Sequence, residues 1–347
     1  MSGPSGTEPT RSLVTIDLAA IRHNARALRD VLDGAELWAV VKADGYGHGA
    51  ADVARAALDE GATALCVATV AEGLALRRSI AGRPRVLVMG PTASADVASA
   101  REAQLELAVS GDTLPEDIPL HVKLDTGMGR WGMADLRAPN RDVVGLMTHF
   151  ASADSDEAFT RRQLERFLAA TSDHRQLLRH AANSAAALTV PESRLDAARC
   201  GIALYGVDPF GRDPALHGLR PALSWSSSVA QAKLFEPGAG TGYGRRFVAN
   251  RPTRIGLVPV GYADGFRRDM TGTDVLVGET RCAVVGTVSM DAIAVRLERE
   301  VDVGTPVTLV GGGITLEQHA AVAGTIGYEL ACGIRSSGPR AERKVLE

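Results

Sequence analysis

The sequence predicts an α/β fold in which a (β/α)8 TIM-type barrel is followed by a mainly β C-terminal domain. Eight short apolar segments alternate with alanine-rich helical stretches in the first 219 residues. Unusual polar residues follow the ends of several of these segments, and from about residue 220 the sequence becomes dense in valine, threonine, glycine and proline. Alternating strands and helices indicate parallel pairing, and eight such units close most naturally into a barrel.

The predicted barrel strands are short and apolar. A further strand at 13–16 precedes them and is a candidate to pair with the C-terminal domain. It leads into a helix whose apolar residues recur at three- and four-residue steps from Leu18 to Leu32. We assign residues 1–219 to the barrel, with strands at 37–41, 65–68, 85–89, 105–109, 120–124, 143–148, around 179–181 and around 195–199.

The predicted C-terminal domain covers residues 220–347 and consists mainly of strands separated by turns. One helical stretch at 316–326 interrupts these strands. The glycine run at 311–313 lacks the Lys-Ser/Thr pair of a phosphate loop, so we interpret it as a turn. The predicted strands are 223–232, 254–260, 275–277, 282–285, 292–297 and 306–310.

Composition and charge favour a cytoplasmic protein that acts on small molecules. The net charge of −3 gives no electrostatic footprint for nucleic acid or an anionic membrane. No apolar run approaches the length that crosses a bilayer, and the first ten residues lack the apolar core of a signal peptide. The four cysteines are scattered, so we expect buried thiols and neither disulfides nor a metal site at Cys66, Cys200, Cys282 and Cys332.

Lys42 lies where the apolar segment 37–41 meets a loop rich in glycine. A lysine that merely ends a strand and reaches into water is the commoner case on position alone. An amine placed where a buried strand opens onto a polar loop is also a candidate Schiff-base nucleophile. The rest of the sequence decides between these two interpretations.

Other polar residues also follow predicted strand ends, on the face where such barrels build their active sites. Taken singly, His149 is more typical of a hydrogen-bonded core histidine, and Arg130 and Arg199 of surface ion pairs. Their common placement favours a site. The residues concerned are Lys42, Arg130, His149, Asn183, Ser184, Arg199 and Gly201.

The loops after the seventh and eighth strands are where these barrels commonly bind phosphate. Here they offer the hydroxyl of Ser184 together with backbone N–H groups at Gly201 and Ile202. A phosphate-bearing cofactor beside Lys42 predicts pyridoxal 5'-phosphate.

Seven separate motifs resemble those of the alanine racemase family, pyridoxal-phosphate enzymes with a barrel and a C-terminal β domain. The resemblance runs from about Leu13 to Arg340. Among the motifs, AVVKADGYGHG contains Lys42 and DTGMGR ends at Arg130. The motifs lie at 39–49, 125–130, 148–151, 182–185, 199–206, 261–265 and 289–291.

The resemblance implies a cofactor site in the barrel. Lys42 would form the Schiff base with pyridoxal phosphate, Arg199 would face the pyridine nitrogen, and His149 would pack on the ring. His180 would support Arg199. The implied cofactor-binding set is Lys42, Tyr46, His149, Asn183, Ser184, Arg199, Gly201 and Ile202.

The resemblance also implies a substrate site and a second catalytic residue. Tyr243 would be the second base, acting on the partner subunit's cofactor in a homodimer with shared active sites. Arg130 would contact the carboxylate of L- or D-alanine, and Lys123 occupies the position that is carbamylated in some relatives. The other residues implied to line the substrate are Tyr262, Met290 and Asp291.

Racemisation needs a proton removed from one face of a planar intermediate and returned on the other, which suits a lysine and a tyrosine. One position departs from the family, because Ser336 stands where relatives commonly have a tyrosine. This serine is expected to loosen the phosphate grip or to admit larger amino acids. The alternatives to an alanine racemase are a broader amino-acid racemase, a decarboxylase of the same barrel class, or a non-catalytic pyridoxal-phosphate-binding protein.

Overall fold

The computed structural model describes residues 11–111, 113–136 and 139–347. They divide into two compact units, here called the barrel unit (residues 18–220) and the β unit (residues 11–17 and 221–347). No helix in these described ranges is long and apolar enough to span a membrane.

The first strand, β1 (Leu13–Asp17), belongs to the β unit, and the next eight strands form a closed parallel barrel. The eight-strand prediction is confirmed, with ends that differ by one or two residues. The barrel closes where the last strand pairs with the first, in a register that sets Trp38 opposite Arg199. The strands are β2 (Glu36–Val40), β3 (Ala64–Val67), β4 (Arg85–Val88), β5 (Glu106–Val109), β6 (Leu120–Lys123), β7 (Val143–Met147), β8 (Leu178–His180) and β9 (Ala197–Cys200).

Helices follow most of the barrel strands. A further helix, from Leu18 to Leu32, precedes the barrel strands, and the apolar residues that the sequence places on one of its faces are all buried. β3 is buried along its whole length, as expected for a parallel strand covered on both faces. The helices are α1 (Leu18–Leu32), α2 (Lys42–Tyr46), α3 (Ala50–Asp59), α4 (Val70–Ser79), α5 (Val97–Glu102), α6 (Glu157–Ala170) and α7 (Ser184–Thr189).

The β unit contains a nine-stranded sheet in the order β11-β14-β17-β16-β15-β18-β10-β1-β19 and a small sheet of β12 and β13. β1 pairs antiparallel with β10 and parallel with β19. The elements are β10 (Leu223–Ser228), β11 (Gln231–Phe235), β12 (Gly240–Thr241), β13 (Phe247–Val248), β14 (Thr253–Val258), β15 (Asp274–Val277), β16 (Thr280–Val285), β17 (Ile293–Leu297), β18 (Pro306–Val310), α8 (Leu316–Ala323), α9 (Gly327–Gly333) and β19 (Glu342–Leu346).

This unit contains four elements that the sequence analysis did not predict, β12, β13, α9 and β19, and it differs from the predictions in three further details. The predicted strand at 223–232 is two strands, β10 and β11. The predicted helix at 316–326 stops at Ala323, because Gly324 takes a left-handed conformation with φ of 64° that ends the helix. Cys332 is exposed, whereas the other three cysteines are buried as expected.

Candidate active site

Lys42 follows β2 at the C-terminal end of the barrel strands and opens an unusual turn. The next four residues all have positive φ, with 52° at Ala43, 50° at Asp44, 62° at Gly45 and 52° at Tyr46. Only one of them is glycine, and a left-handed conformation costs other residues about 1–2 kcal/mol each. Such strain persists only where the surroundings hold it, and it concentrates at functional sites.

Carboxylates hold this turn in place. Glu72 accepts a hydrogen bond from the Ala43 N–H at 2.8 Å through one oxygen, and from the Ala68 N–H at 2.7 Å through the other. Asp44 accepts one from the Ala50 N–H at 2.9 Å. The sequence interpretation missed Glu72, although the Thr-x-x-Glu pattern that it forms with Thr69 is a recognisable capping box.

Ser184 and Gly201 come together beside this turn. The Ser184 Oγ accepts hydrogen bonds from the N–H groups of Gly201 at 3.0 Å and Ala203 at 3.3 Å. A Cβ at Gly201 would lie 2.6 Å from the Tyr46 hydroxyl, so only glycine fits there. Asn183 caps α7 by accepting a hydrogen bond from the Ala186 N–H at 3.0 Å. Two hydroxyls and a glycine backbone therefore meet at the ends of β2, β8 and β9.

Ile202 directly follows this glycine and begins a short 3-10 helix, Ile202–Tyr205, whose residues are all buried. Tyr205 donates a hydrogen bond to the Val40 carbonyl at 2.8 Å, which ties this segment to the end of β2. The predicted phosphate residues therefore lie on segments that are fixed to one another.

Arg199 is buried in the barrel, with 3% of its surface exposed. Its Nη1 donates to His180 Nδ1 at 2.6 Å, and its Nη2 donates to the Thr148 carbonyl at 2.7 Å and lies 3.4 Å from His149 Nδ1. Among the described residues no acceptor contacts its Nε. Burial lowers the pKa of Arg199 to about 10, so the guanidinium remains charged at neutral pH.

Both histidines beside this guanidinium are neutral at pH 7. Burial, and next the charge of Arg199, lowers the pKa of His149 and of His180 well below the ordinary value. A neutral imidazole can accept a hydrogen bond from an arginine, whereas an imidazolium cannot.

The charged groups of Lys123 and Arg130 both lie close to the ring of Trp131. The Lys123 Nζ is 5.5 Å and the Arg130 guanidinium carbon 5.1 Å from the centroid of the indole ring. Burial, followed by the charges of Arg199 and Arg130, lowers the pKa of Lys123 to about 8. The loop between them is held by Asp125, whose carboxylate accepts the N–H groups of residues 127, 128 and 129.

The β unit brings the remaining predicted residues together. The Tyr262 N–H donates to the Ser289 carbonyl at 3.0 Å, and the adjacent strand-end segment carries Met290. A Cβ at Gly261 would lie 2.2 Å from the Ser289 oxygen, so glycine permits this approach. Tyr243 is joined to the same region through a hydrogen bond from the Thr287 hydroxyl to its carbonyl at 2.8 Å.

Several of these side chains point outward. Tyr243 is 70% exposed, Met290 51% and Tyr262 42%. Asp291 is exposed too, but its carboxylate is ion-paired with Arg340 at 2.7 Å.

An ion cluster that the sequence interpretation missed supports this surface. The buried Asp264 binds Arg340 at 2.8 Å and Arg11 at 3.3 Å, and both arginines also reach Asp291. The partners are separated by up to 280 positions, so no local pattern could reveal them. The motifs at 261–265 and 289–291 contain Asp264 and Asp291 and gave the sequence signals for this cluster.

Two family models match the chain. "Alanine racemase, N-terminal domain" matches residues 16–209, and "Alanine racemase, C-terminal domain" matches residues 222–343. The chain is 39% identical to the alanine racemase of Lactiplantibacillus plantarum, in an alignment that covers 96% of the chain and 98% of the relative. It is also 39% identical to the biosynthetic alanine racemase of Pseudomonas aeruginosa, with 94% and 98% covered.

Solved structures give the same result. The biosynthetic alanine racemase of Pseudomonas aeruginosa superposes with a TM-score of 0.90 at 36% identity, covering 98% of this chain and 100% of that one. The alanine racemase of Streptomyces lavendulae superposes with a TM-score of 0.89 at 35% identity, covering 98% of each chain. The chain therefore belongs to the alanine racemase family.

Proposed function

We propose that this chain is a pyridoxal 5'-phosphate-dependent isomerase that interconverts L-alanine and D-alanine by a two-base mechanism and provides D-alanine for peptidoglycan. The observation that carries the proposal is the meeting of Lys42, the Ser184–Gly201 pair and the buried Arg199 at one end of the barrel. Each of these suits a different part of the cofactor. The cytoplasmic location expected from the sequence stays a prediction.

Two features of the barrel unit fit pyridoxal phosphate. Gly201 lies directly against the Tyr46 hydroxyl and the Ser184 hydroxyl, and hydroxyl and N–H groups of this kind can bind a phosphate. The Arg199 guanidinium is anchored by Nη1 and Nη2 while its Nε–H has no acceptor among the described residues. An N–H group in that position can face a ring nitrogen. When bound, the cofactor supplies a ring that delocalises the electron pair left on the substrate Cα after proton removal.

The barrel residues would hold and orient the cofactor. Lys42 would attach it through its amine, Tyr46 and Ser184 with the N–H groups of Gly201 and Ile202 would bind the phosphate, and Asn183 would fix α7. Arg199 keeps its proton at neutral pH, so it would leave the pyridine nitrogen unprotonated. A ring whose nitrogen stays unprotonated would withdraw electrons less strongly, and this favours return of the proton to the substrate Cα over transamination. The neutral His149 would pack on the ring.

Lys42 and Tyr243 are proposed as the two bases. Tyr243 would come from the partner subunit of a homodimer, which makes each active site shared. Its exposure, together with that of Tyr262 and Met290, supports the proposal, because large side chains exposed together are typical of interaction surfaces. Arg130, positioned by Lys123, would bind the substrate carboxylate, and Tyr262, Met290 and Asp291 would border the substrate.

The test is production of D-alanine from L-alanine by purified protein with added pyridoxal phosphate. We expect activity in the parent, none measurable in Lys42→Ala, and a loss of about 10²–10⁴-fold in Tyr243→Phe, the usual contribution of a general acid or base. Lys233→Ala, which is exposed on β11, is the matched control and should behave as the parent.

Parallel assays with larger L-amino acids test the alternative of a broader racemase, for which the substitution at Ser336 is the reason. Protein that binds the cofactor through Lys42 yet forms no D-amino acid would contradict the proposed function and favour the non-catalytic alternative.

A further inference from the structure

A buried hydrogen-bond network crosses the barrel unit from Arg199 to the opposite end. Arg199 Nη1 lies 2.6 Å from His180 Nδ1, His180 Nε2 lies 2.9 Å from His121 Nδ1, and His121 Nε2 lies 2.8 Å from a carboxylate oxygen of Glu106. Arg199 and both histidines are buried, and the Glu106 side chain is 13% exposed. These four residues are here called the Arg199–Glu106 network.

The network joins the two ends of the barrel. Glu106 is the first residue of β5, His121 the second of β6, and His180 the last of β8. In parallel barrels the active site lies at the C-terminal ends of the strands and the other end serves stability. At that other end Glu106 also pairs with Arg85 at 2.9 Å, so the network ends at an ion pair near solvent.

We propose that Glu106 and His121 are positioning residues for the active site: through His180 they fix the orientation of Arg199, and the Glu106 carboxylate polarises the two histidines between them. This proposal rests on the proposed function only in that Arg199 is taken to face the cofactor.

The proton positions in the network follow from the chemistry of its ends. Arginine only donates, so His180 Nδ1 must accept. A neutral His180 then carries its proton on Nε2 and donates it to His121 Nδ1. His121 in turn carries its proton on Nε2 and donates it to Glu106, which accepts as a carboxylate. A protonated His121 would leave His180 with acceptors on both nitrogens and no proton, so the network admits a single arrangement.

The surroundings of His121 are shaped for this arrangement. A Cβ at Gly145 on β7 would lie 2.3 Å from His121 Nδ1, so a side chain there would push the ring away from His180. Trp38 packs against both rings, with centroid distances of 5.7 Å to His121 and 4.6 Å to His180. The rings are therefore held by packing as well as by hydrogen bonds.

The network also bears on the buried charge of Arg199. Among the described residues no carboxylate contacts Arg199 directly, and a buried charge without a counterion is costly. A carboxylate polarises a histidine that donates to it, and carboxylate–histidine pairs tune metal sites in this way. Here Glu106 would act through two histidines instead of one. A direct carboxylate contact at Arg199 would compete with the cofactor, whereas a distant one does not.

The direct test is neutron diffraction from crystals of the holoenzyme, which locates the imidazole hydrogens. We expect one hydrogen on each ring, at Nε2 of both His180 and His121. A hydrogen on Nδ1 of either ring would overturn the proposal. This result depends neither on the racemase assay nor on the folding of a variant, so failure of the proposed function is distinguished from failure of the network.

The second measurement uses Glu106→Gln, which keeps the shape of the side chain and removes its charge. We expect kcat to fall about tenfold with KM unchanged, as for loss of a carboxylate behind a functional histidine. The absorption maximum of the bound cofactor should also shift. Glu102→Gln, on the exposed end of α5 nearby, is the matched control and should alter neither. A Glu106→Gln enzyme identical to this control in both kcat and spectrum would overturn the proposal.

Discussion

Four cationic side chains face one another at the C-terminal ends of the barrel strands. Lys42, Arg130 and Arg199 all lower the pKa of Lys123, although burial is the larger cause. A substrate carboxylate and a cofactor phosphate are suited to such a positive field. Burial and this field together favour the neutral form of the Lys123 amine.

Lys123 should therefore react with carbon dioxide. Its pKa of about 8 means that the neutral, nucleophilic amine becomes the major form as the pH rises through 8. A carbamate there would add a negative charge beside Arg130 and relieve the cation repulsion. We expect a carbamate signal in carbon-13 NMR with labelled bicarbonate, stronger at pH 8.5 than at pH 7. The signal should vanish in Lys123→Met, and a signal that persists in that variant would assign the carbamate elsewhere.

Residue types and motifs named the side chains of the proposed site but could not reveal what holds them. Lys42 and Ser184 were found because each follows a strand end. Arg199 was predicted to follow the eighth barrel strand, but it lies inside that strand, one residue before the end of β9. Glu72, Glu106 and His121 were missed because their partners are 29, 15 and 59 positions away and become neighbours only when the barrel closes.

At the scale of elements, the turn after β2 stores strain close to the candidate nucleophile. Three of its four positive-φ residues are not glycine, and its N–H groups depend on Glu72 and Asp44. Since α4 provides Glu72, the cap of one helix also fixes the start of α2. Glu72 therefore joins two loops, and together with Asp44 it holds the strained turn in place.

Glu72→Gln should weaken this arrangement. The amide oxygen can replace only one of the two carboxylate oxygens. The NH2 group would then face either the Ala43 N–H or the N–H groups of Ala68 and Thr69, which costs about 1–3 kcal/mol for an unsatisfied donor. We expect a lower midpoint in urea unfolding and weaker pyridoxal phosphate binding, measured by fluorescence titration. Glu165→Gln, exposed on α6, is the control. Unchanged cofactor affinity in Glu72→Gln would show that the turn keeps its shape without the carboxylate.

The barrel strands were predictable since strands buried on both faces are continuous apolar runs, as in β3. β19 was not predictable, because its sequence Glu-Arg-Lys-Val-Leu has no apolar face. Its place in the sheet comes from parallel pairing with β1. The predicted helix at 316–326 was longer than α8, which ends at Ala323, because the apolar periodicity continues past Gly324.

At the scale of the whole molecule, the proposed bases lie in different units. Lys42 belongs to the barrel unit, and Tyr243 is 70% exposed on the β unit. A tyrosine at that exposure has an ordinary solvent environment and would need a partner subunit to become a catalytic group. We therefore propose that each active site combines Lys42 of one protomer with Tyr243 of the other.

The most direct measurement is racemase activity of two purified heterodimers, made by co-expression with different affinity tags. The first pairs a Lys42→Ala protomer with a Tyr243→Phe protomer. Shared sites leave one of its two sites intact, so we predict about half of the parent activity. The second pairs a parent protomer with one that carries both substitutions, and shared sites leave it inactive. An inactive first heterodimer beside a half-active second one would contradict the account, because both bases would then come from the same protomer.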